Sequence, residues 1–323
     1  MTTVEAPVPR QAGRGRRWSL PDKGYRGMLA VTAVVFGALA VWFLVSVTIQ
    51  AEPAFSTLGF GWIFGGTWNP SHGQYGLLPF ILGTLESTAI AVVLAFPIGL
   101  GTAVALAFLV PSRVRPILST TVELLAAVPS VVYGLWGLIV LAPVFRSTVE
   151  PFLTSALGWT GLFNGPDNGP SLLLAGVILF IMILPTMVAI SRDVLIVVPN
   201  EQVEGARALG ATSWQVLRKV VLPGARTGIL GAFTLATGRA LGETVAVAMV
   251  IGNSPFIAHS LNSSAATIPS LIVNNFGEST GTELSALFGA GLVLLLIGIL
   301  VNSAARWLVW STGHEGTGVE VGR

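Results

Sequence analysis

The chain has 323 residues, 53% of them hydrophobic and only 10% charged, with a mean hydropathy of +0.78. A soluble domain of this size carries roughly a quarter of its residues as charges, so the composition excludes a water-clothed globule and turns the surplus apolar side chains towards lipid. Absence of cysteine excludes disulfides, thiolate metal sites and thiol nucleophiles, and a net charge of +2 assigns the basic residues to topology rather than to nucleic acid.

Residues 1–27 are polar, carry Arg10, Arg14, Arg16, Arg17, Lys23 and Arg26, and read as a disordered basic cytoplasmic tail. The uncharged run from Met28 to Ile49 is longer than the core of a cleavable signal peptide, about 7–15 residues. It is long enough to cross about 30 Å of hydrocarbon, so an uncleaved first transmembrane helix is expected over 28–50. A periplasmic loop over 51–79 then leads to a core over 80–312, with apolar runs at about 80–108, 117–145, 171–191, 225–252 and 284–310. The fold predicted is all-α, a polytopic membrane protein with six transmembrane helices. Period-two alternation is missing, which excludes a barrel. Pro97, Pro129 and Pro185 fall near span centres and predict kinks. The segment from Thr267 to Val273 is expected to form a short helix on or in the membrane, and 313–323 a second cytoplasmic tail.

Lysine and arginine fix the orientation expected. With the N-terminus inside, the cytoplasmic side receives the tail cluster, Arg113, Arg115, Arg192, Arg207, Arg218, Lys219, Arg226, Arg306 and Arg323, and the opposite side keeps only Arg146. This asymmetry places both termini in the cytoplasm. His72, His259 and His314 have no ligand spacing, no metal or other cofactor is implied, and no phosphate-binding loop of the form GxxxxGK[ST] occurs. Catalytic residues are therefore not assigned; any ATP hydrolysis is expected on a separate subunit.

The connection over 192–226 is expected to fold into two short helices. Pro199 and Asn200 open the first, Glu201 and Glu204 sit near its positive end, and Gly210 breaks it; Ser213 to Val221 forms the second, expected to stop at Pro223. Such an elbow suits the groove of a partner. Here the sequence resembles the permeases of ABC importers, whose cytoplasmic loop reads EAA, three residues, G, nine residues, then I-x-L-P. The chain has Glu204-Gly205-Ala206, Gly210 and Val220-Val221-Leu222-Pro223 at that spacing, departing at Gly205 and Val220. The resemblance implies that Glu204, Ala206, Gly210, Leu222 and Pro223 belong to a coupling helix seated in a cleft of an ATPase subunit.

In the fifth apolar run Arg239 and Glu243 stand four residues apart, on one face if the helix is continuous. A charge at mid-bilayer costs from about 2.5 kcal/mol upward and marks an interior or a pathway. One reading is that the pair neutralises itself and pins the helix in the bundle. The other is that Arg239 offers its planar fork to a tetrahedral oxyanion, while Glu243 holds Arg239 or accepts a hydrogen bond from a protonated phosphate hydroxyl, which sulfate lacks. Glu86 and Glu123, also within apolar runs, read as boundary or helix-pairing residues.

Two stretches resemble the phosphate-specific, PstC-type permeases more closely: Leu125-Ala126-Ala127-Val128-Pro129-Ser130-Val131-Val132-Tyr133-Gly134-Leu135-Trp136-Gly137, and Gly238-Arg239-Ala240-Leu241-Gly242-Glu243-Thr244 followed by Val250-Ile251-Gly252-Asn253. The likeness covers about residues 75–310. It implies a type I ABC importer permease in a bacterial inner membrane, forming a heterodimer with a second homologous permease above two ATPase copies. An extracytoplasmic phosphate-binding protein would deliver phosphate to the outer loops, and Arg239 and Glu243 would line the path. Competing readings are a sulfate or molybdate permease of the same fold, an ion-coupled secondary transporter, which has no need of the elbow, and a membrane scaffold or sensor.

Overall fold

A computed structural model describes residues 20–313; the expected tails, 1–27 and 313–323, lie largely outside the described residues. The chain divides into two units at Ile49. Residues 20–49 belong to α1 (Leu20–Leu58), and apolar side chains along it, Val31, Val34, Phe36 and Trp42 among them, are exposed. A helix apolar around its whole circumference has no aqueous face. The helix overruns the expected 28–50 at both ends: Pro53 lies inside it, and it stops at Gly59, whose φ of +66° is left-handed. The loop expected from residue 51 therefore begins at Gly59.

The second unit, from Gln50 onward, holds the other five spans. A short hairpin, β1 (Trp68–Asn69) antiparallel to β2 (Gln74–Tyr75), precedes α2 (Leu78–Val104). Next come α3 (Arg115–Ala126), α4 (Ser130–Trp136), α5 (Ala142–Val144), α6 (Glu150–Leu157) and α7 (Leu172–Ile196). The chain continues through α8 (Asn200–Ala208), α9 (Ser213–Val216), α10 (Leu222–Gly242), α11 (Val245–Val250), α12 (Ile268–Asn275) and α13 (Gly281–Gly313). Among the described residues six helical rods are long and apolar enough to cross a membrane: Gly24–Leu58, Leu78–Leu109, Ser130–Thr160, Leu172–Ile196, Ser213–Gly242 and Gly281–Trp307. Their alternation puts the connections 110–129 and 197–212 at one end, and 59–77, 161–171 and 251–280 at the other.

Two expectations are corrected by prolines. The third span does not run through 117–145: Pro129, with no N–H to donate and an extended ψ of 139°, separates α3 from α4. Conversely, Pro223 does not stop its helix. The rod from Ser213 to Gly242 is continuous because a π turn, Leu217–Val221, precedes the proline, with Leu222 N–H bonded to the Leu217 carbonyl. The same device recurs at π turns Gly137–Leu141 and Phe145–Val149, which end two residues before Pro143 and Pro151 and carry the rod through both, whereas the π turn Ala105–Leu109 closes its rod: Val110 is extended, and Pro111 lies outside the helix. A proline ring clashes with the carbonyl four residues back; widening the preceding turn shifts that carbonyl aside. Arg146, expected in an outer loop, consequently sits inside a helical rod.

Helix α7 is the axis of the bundle, burying Leu174, Ile178, Leu179, Met182, Ile183 and Met187. Helices α2 and α10 lie along it, with α13 beside α10. Glycines set these approaches: a Cβ at Gly176 would meet Ile90 Cγ2 at 2.5 Å, one at Gly99 would meet Met187, and one at Gly228 would meet Val194. Where lipid replaces water, close backbone packing of this kind supplies the association energy.

At the loop end, Ser171 N–H bonds to Val250 O, Ala265 N–H to Ile251 O and Ile268 N–H to Thr84 Oγ1, tying 251–268 to α2 and α7. The short helix expected from Thr267 is α12, capped by reciprocal Thr267 and Ser270 bonds. Fully buried Glu150 accepts the N–H of Gly169 at 3.1 Å.

Candidate translocation site

Arg239 lies three residues before the end of α10. Thr186, its partner, is on α7, ten residues or about 15 Å from Ile196, so the pair sits deep within the bundle. Arg239 Nη1 donates to Thr186 Oγ1 at 2.9 Å. The expected pairing of Arg239 with Glu243 is not formed. Helix α10 ends at Gly242, and Glu243, with φ −70° and ψ 126°, is extended, which breaks the four-residue register that would stack the two side chains. Arg192 is ion-paired with Glu123 and with Asp193, and Arg239 has no carboxylate partner among the described residues.

Arg239 borders a cavity of about 980 Å³ between α10 and α13. Thr227, Gly231, Thr234 and Gly238 face it from α10, and Ile299, Asn302, Ser303 and Arg306 from α13; each set repeats at helical spacing. The lining holds two arginines and no Asp or Glu. Glu243 is not on this wall. Sequence reading passed over Thr186 and the α13 polar set, although Asn302, Ser303 and Arg306 interrupt an otherwise apolar span one helical turn apart.

The break at Glu243 and Thr244 starts α11, which packs on α4. Gly134 lies against the backbone of Ala246 and Gly137 against Val250 and Ile178, approaches that a Cβ would block. The two stretches quoted for their family likeness, 125–137 and 238–253, thus meet. Tyr133 donates to the Leu125 carbonyl at 2.8 Å across the Pro129 break.

At the other end of α10 the elbow has the expected two-helix form at its start. Pro199 precedes α8, Gly210 adopts φ +84°, and Thr212 and Gln215 form a capping box for α9. Glu204 is exposed, Ala206 half-buried, and Leu222 half-buried beside exposed Pro223. Leu209, 91% exposed, and Trp214, 65% exposed, put apolar surface at the tip. Glu123 is held by Arg192 Nη2 at 3.3 Å, an ion pair that joins α3 to α7. Half-buried Glu86 has no ion-pair partner among the described residues.

Residues 95–312 match the family of binding-protein-dependent transport system inner membrane components. The chain belongs to that family. It is 41% identical over 299 residues to the phosphate transport system permease protein PstC of Mesorhizobium japonicum, covering 91% of each chain. Against the PstC of Pasteurella multocida it is 41% identical, covering 82% of this chain and 84% of that one. It is 36% identical to PstC 1 of Mycobacterium tuberculosis, covering 83% and 81%. Among solved structures, a chain of a bacterial ABC transporter involved in the import of the acidic polysaccharide alginate superposes with a TM-score of 0.58 at 17% identity, covering 90% of this chain and 98% of that one. A chain of the MetNI methionine ABC transporter superposes with a TM-score of 0.54 at 20% identity, covering 73% and 95%. These likenesses establish a multi-pass ABC importer permease fold.

Proposed function

We propose that this chain is a membrane subunit of an ATP-driven phosphate importer and forms one half of its translocation path. The observation that carries the reading is Arg239: a half-buried guanidinium deep in the bundle, held by a neutral hydroxyl, with no carboxylate on the cavity wall beside it. A charge so placed costs several kcal/mol unless a ligand of opposite sign visits it, and the PstC relatives name phosphate as the anion. In this reading Thr186 takes the positioning role expected of Glu243 and leaves the rest of the guanidinium fork free for a tetrahedral oxyanion. Glu243, at the hinge between α10 and α11, would accept a hydrogen bond from a protonated oxyanion arriving at the path.

A second homologous permease would complete the path, an ATPase dimer would receive the elbow through Leu209, Trp214 and the loop residues Glu204, Ala206 and Gly210, and a phosphate-binding protein would meet the end bearing 251–280. The basic residues Arg113, Arg207, Arg218 and Lys219, gathered at the elbow end, support a cytoplasmic position for that end and for both termini.

The test is uptake of labelled phosphate at micromolar concentration in phosphate-starved cells lacking the gene, with and without the chain restored, in excess unlabelled sulfate. Restored uptake that resists sulfate and a proton uncoupler but fails on ATP depletion is expected. Uptake abolished by sulfate, or by the uncoupler alone, would replace the reading by a sulfate permease or an ion-coupled carrier. Glu243→Gln transporting at the wild-type rate and selectivity would remove Glu243 from the path.

A further inference from the structure

A carboxamide that the function above does not use stands beside Arg239. Asn302, on α13, lines the same cavity, and its Oδ1 lies 3.9 Å from the point that a Cβ on Gly238 would occupy. Gly238 immediately precedes Arg239 on α10 and brings no side chain into that gap. Half-buried Asn302 makes no hydrogen bond with any described residue, whereas Asn253, Asn262 and Asn275 each donate to a carbonyl or a hydroxyl. The bond to the carbonyl four residues earlier, which Asn275 makes, is not made by Asn302. An amide inside an apolar span is costly until something satisfies it.

The chemistry of the wall says what that partner is. A guanidinium only donates, so Arg239 and Arg306 hold any tetrahedral oxyanion alike. Telling hydrogen phosphate from sulfate takes an acceptor for the P–O–H, and no Asp or Glu lines this cavity. The hydroxyls of Thr186, Thr227 and Ser303 rotate to donate or to accept, so they do not discriminate, and that of Thr234 is spent on the Leu230 carbonyl. A carboxamide oxygen can only accept. We infer that Asn302 is the specificity-determining residue of the Arg239 site: its Nδ2 donates to one oxygen of hydrogen phosphate while its Oδ1 accepts from the P–O–H. Set edge-on, the amide matches that donor and acceptor pair; against sulfate its oxygen faces another acceptor and is left unpaired, which is the penalty that separates the two anions. The inference rests on the reading of Arg239 as the anion contact.

The absence of cysteine from the chain gives a direct test. Ser303→Cys, on the residue next to Asn302 in the cavity lining, is labelled by a neutral maleimide in the assembled complex without its binding protein, and the label is read on this chain by mass. Phosphate or sulfate is added as protectant at equal ionic strength in mildly alkaline buffer, where the two are dianions that differ by one proton. Phosphate is expected to protect at about tenfold lower concentration, the discrimination of roughly one hydrogen bond to a charged partner. Asn302→Leu, a change that an apolar span tolerates, should weaken phosphate about tenfold and leave sulfate nearly unchanged; Arg239→Gln should lose protection by both. Equal protection by the two anions, or a preference that survives Asn302→Leu, would overturn the inference and leave Arg239 as the anion contact. A lowered melting temperature in Asn302→Leu with the preference intact would make Asn302 a helix-packing amide instead. Absence of protection by either anion, or of labelling because a partner covers the cavity, would overturn it as well. Phosphate uptake by the same complex in vesicles reports separately on the function: uptake untouched by Arg239→Gln removes Arg239 from the path, and uptake lost in Arg239→Gln without an anion preference at Asn302 removes only this inference.

Discussion

Arg239 shows how a single residue's role shifts once its surroundings are known. Four-residue spacing to Glu243 suggested a self-neutralised pair, but the helix ends between them and the guanidinium is held by Thr186 instead. A hydrogen bond to a charged group contributes about 1.5–3 kcal/mol, so Arg239→Gln is expected to lower uptake roughly ten- to a hundredfold. Arg239→Lys, a point charge without the planar fork, should recover part of it. Thr186→Val removes only the positioning contact and should cost less than Arg239→Gln; initial uptake rates at saturating and limiting phosphate separate the two. Wild-type rates in Thr186→Val would show that Arg239 needs no anchor. Nothing in the sequence singled out Thr186, because a threonine in an apolar run ordinarily bonds back to its own helix.

Among the elements, the elbow was the most legible part of the chain. Gly210 was expected as a breaker, and its φ of +84° is a conformation that costs a residue with a Cβ about 1–2 kcal/mol. No side chain lies near enough to obstruct a Cβ there, so the penalty is one of backbone alone. Gly210→Val is therefore expected to leave the protein inserted and folded but to lower transport-coupled ATP hydrolysis severalfold in the assembled complex. Undiminished coupling would mean that the tip geometry is unimportant for docking. The rod that follows was misread at Pro223 for a definable reason. Proline breaks a regular α-helix, but the periodicity of a sequence does not reveal whether a π turn precedes it. The three prolines carried inside rods by such turns, Pro143, Pro151 and Pro223, share one kind of backbone solution.

At the scale of the molecule, helix packing depends on glycines that have no polarity to announce them. Gly176→Leu would drive a side chain into Ile90 between α2 and α7; overpacking of this kind costs about 1–3 kcal/mol. A lowered melting temperature of the detergent-purified complex is expected, and an unchanged one would mean that the two helices part without penalty. The sequence by itself determined the membrane fold, the six spans, the elbow and Arg239 as a charge inside a span, because these follow from composition, from hydrocarbon thickness and from residues whose burial is expensive wherever they sit. Only the tertiary structure decided what those residues face. The break at Pro129, the hinge at Glu243, the Thr186 contact and the cavity shared by Arg239 and Arg306 arise between helices far apart in the chain, and one-dimensional spacing carries no record of which helical faces meet.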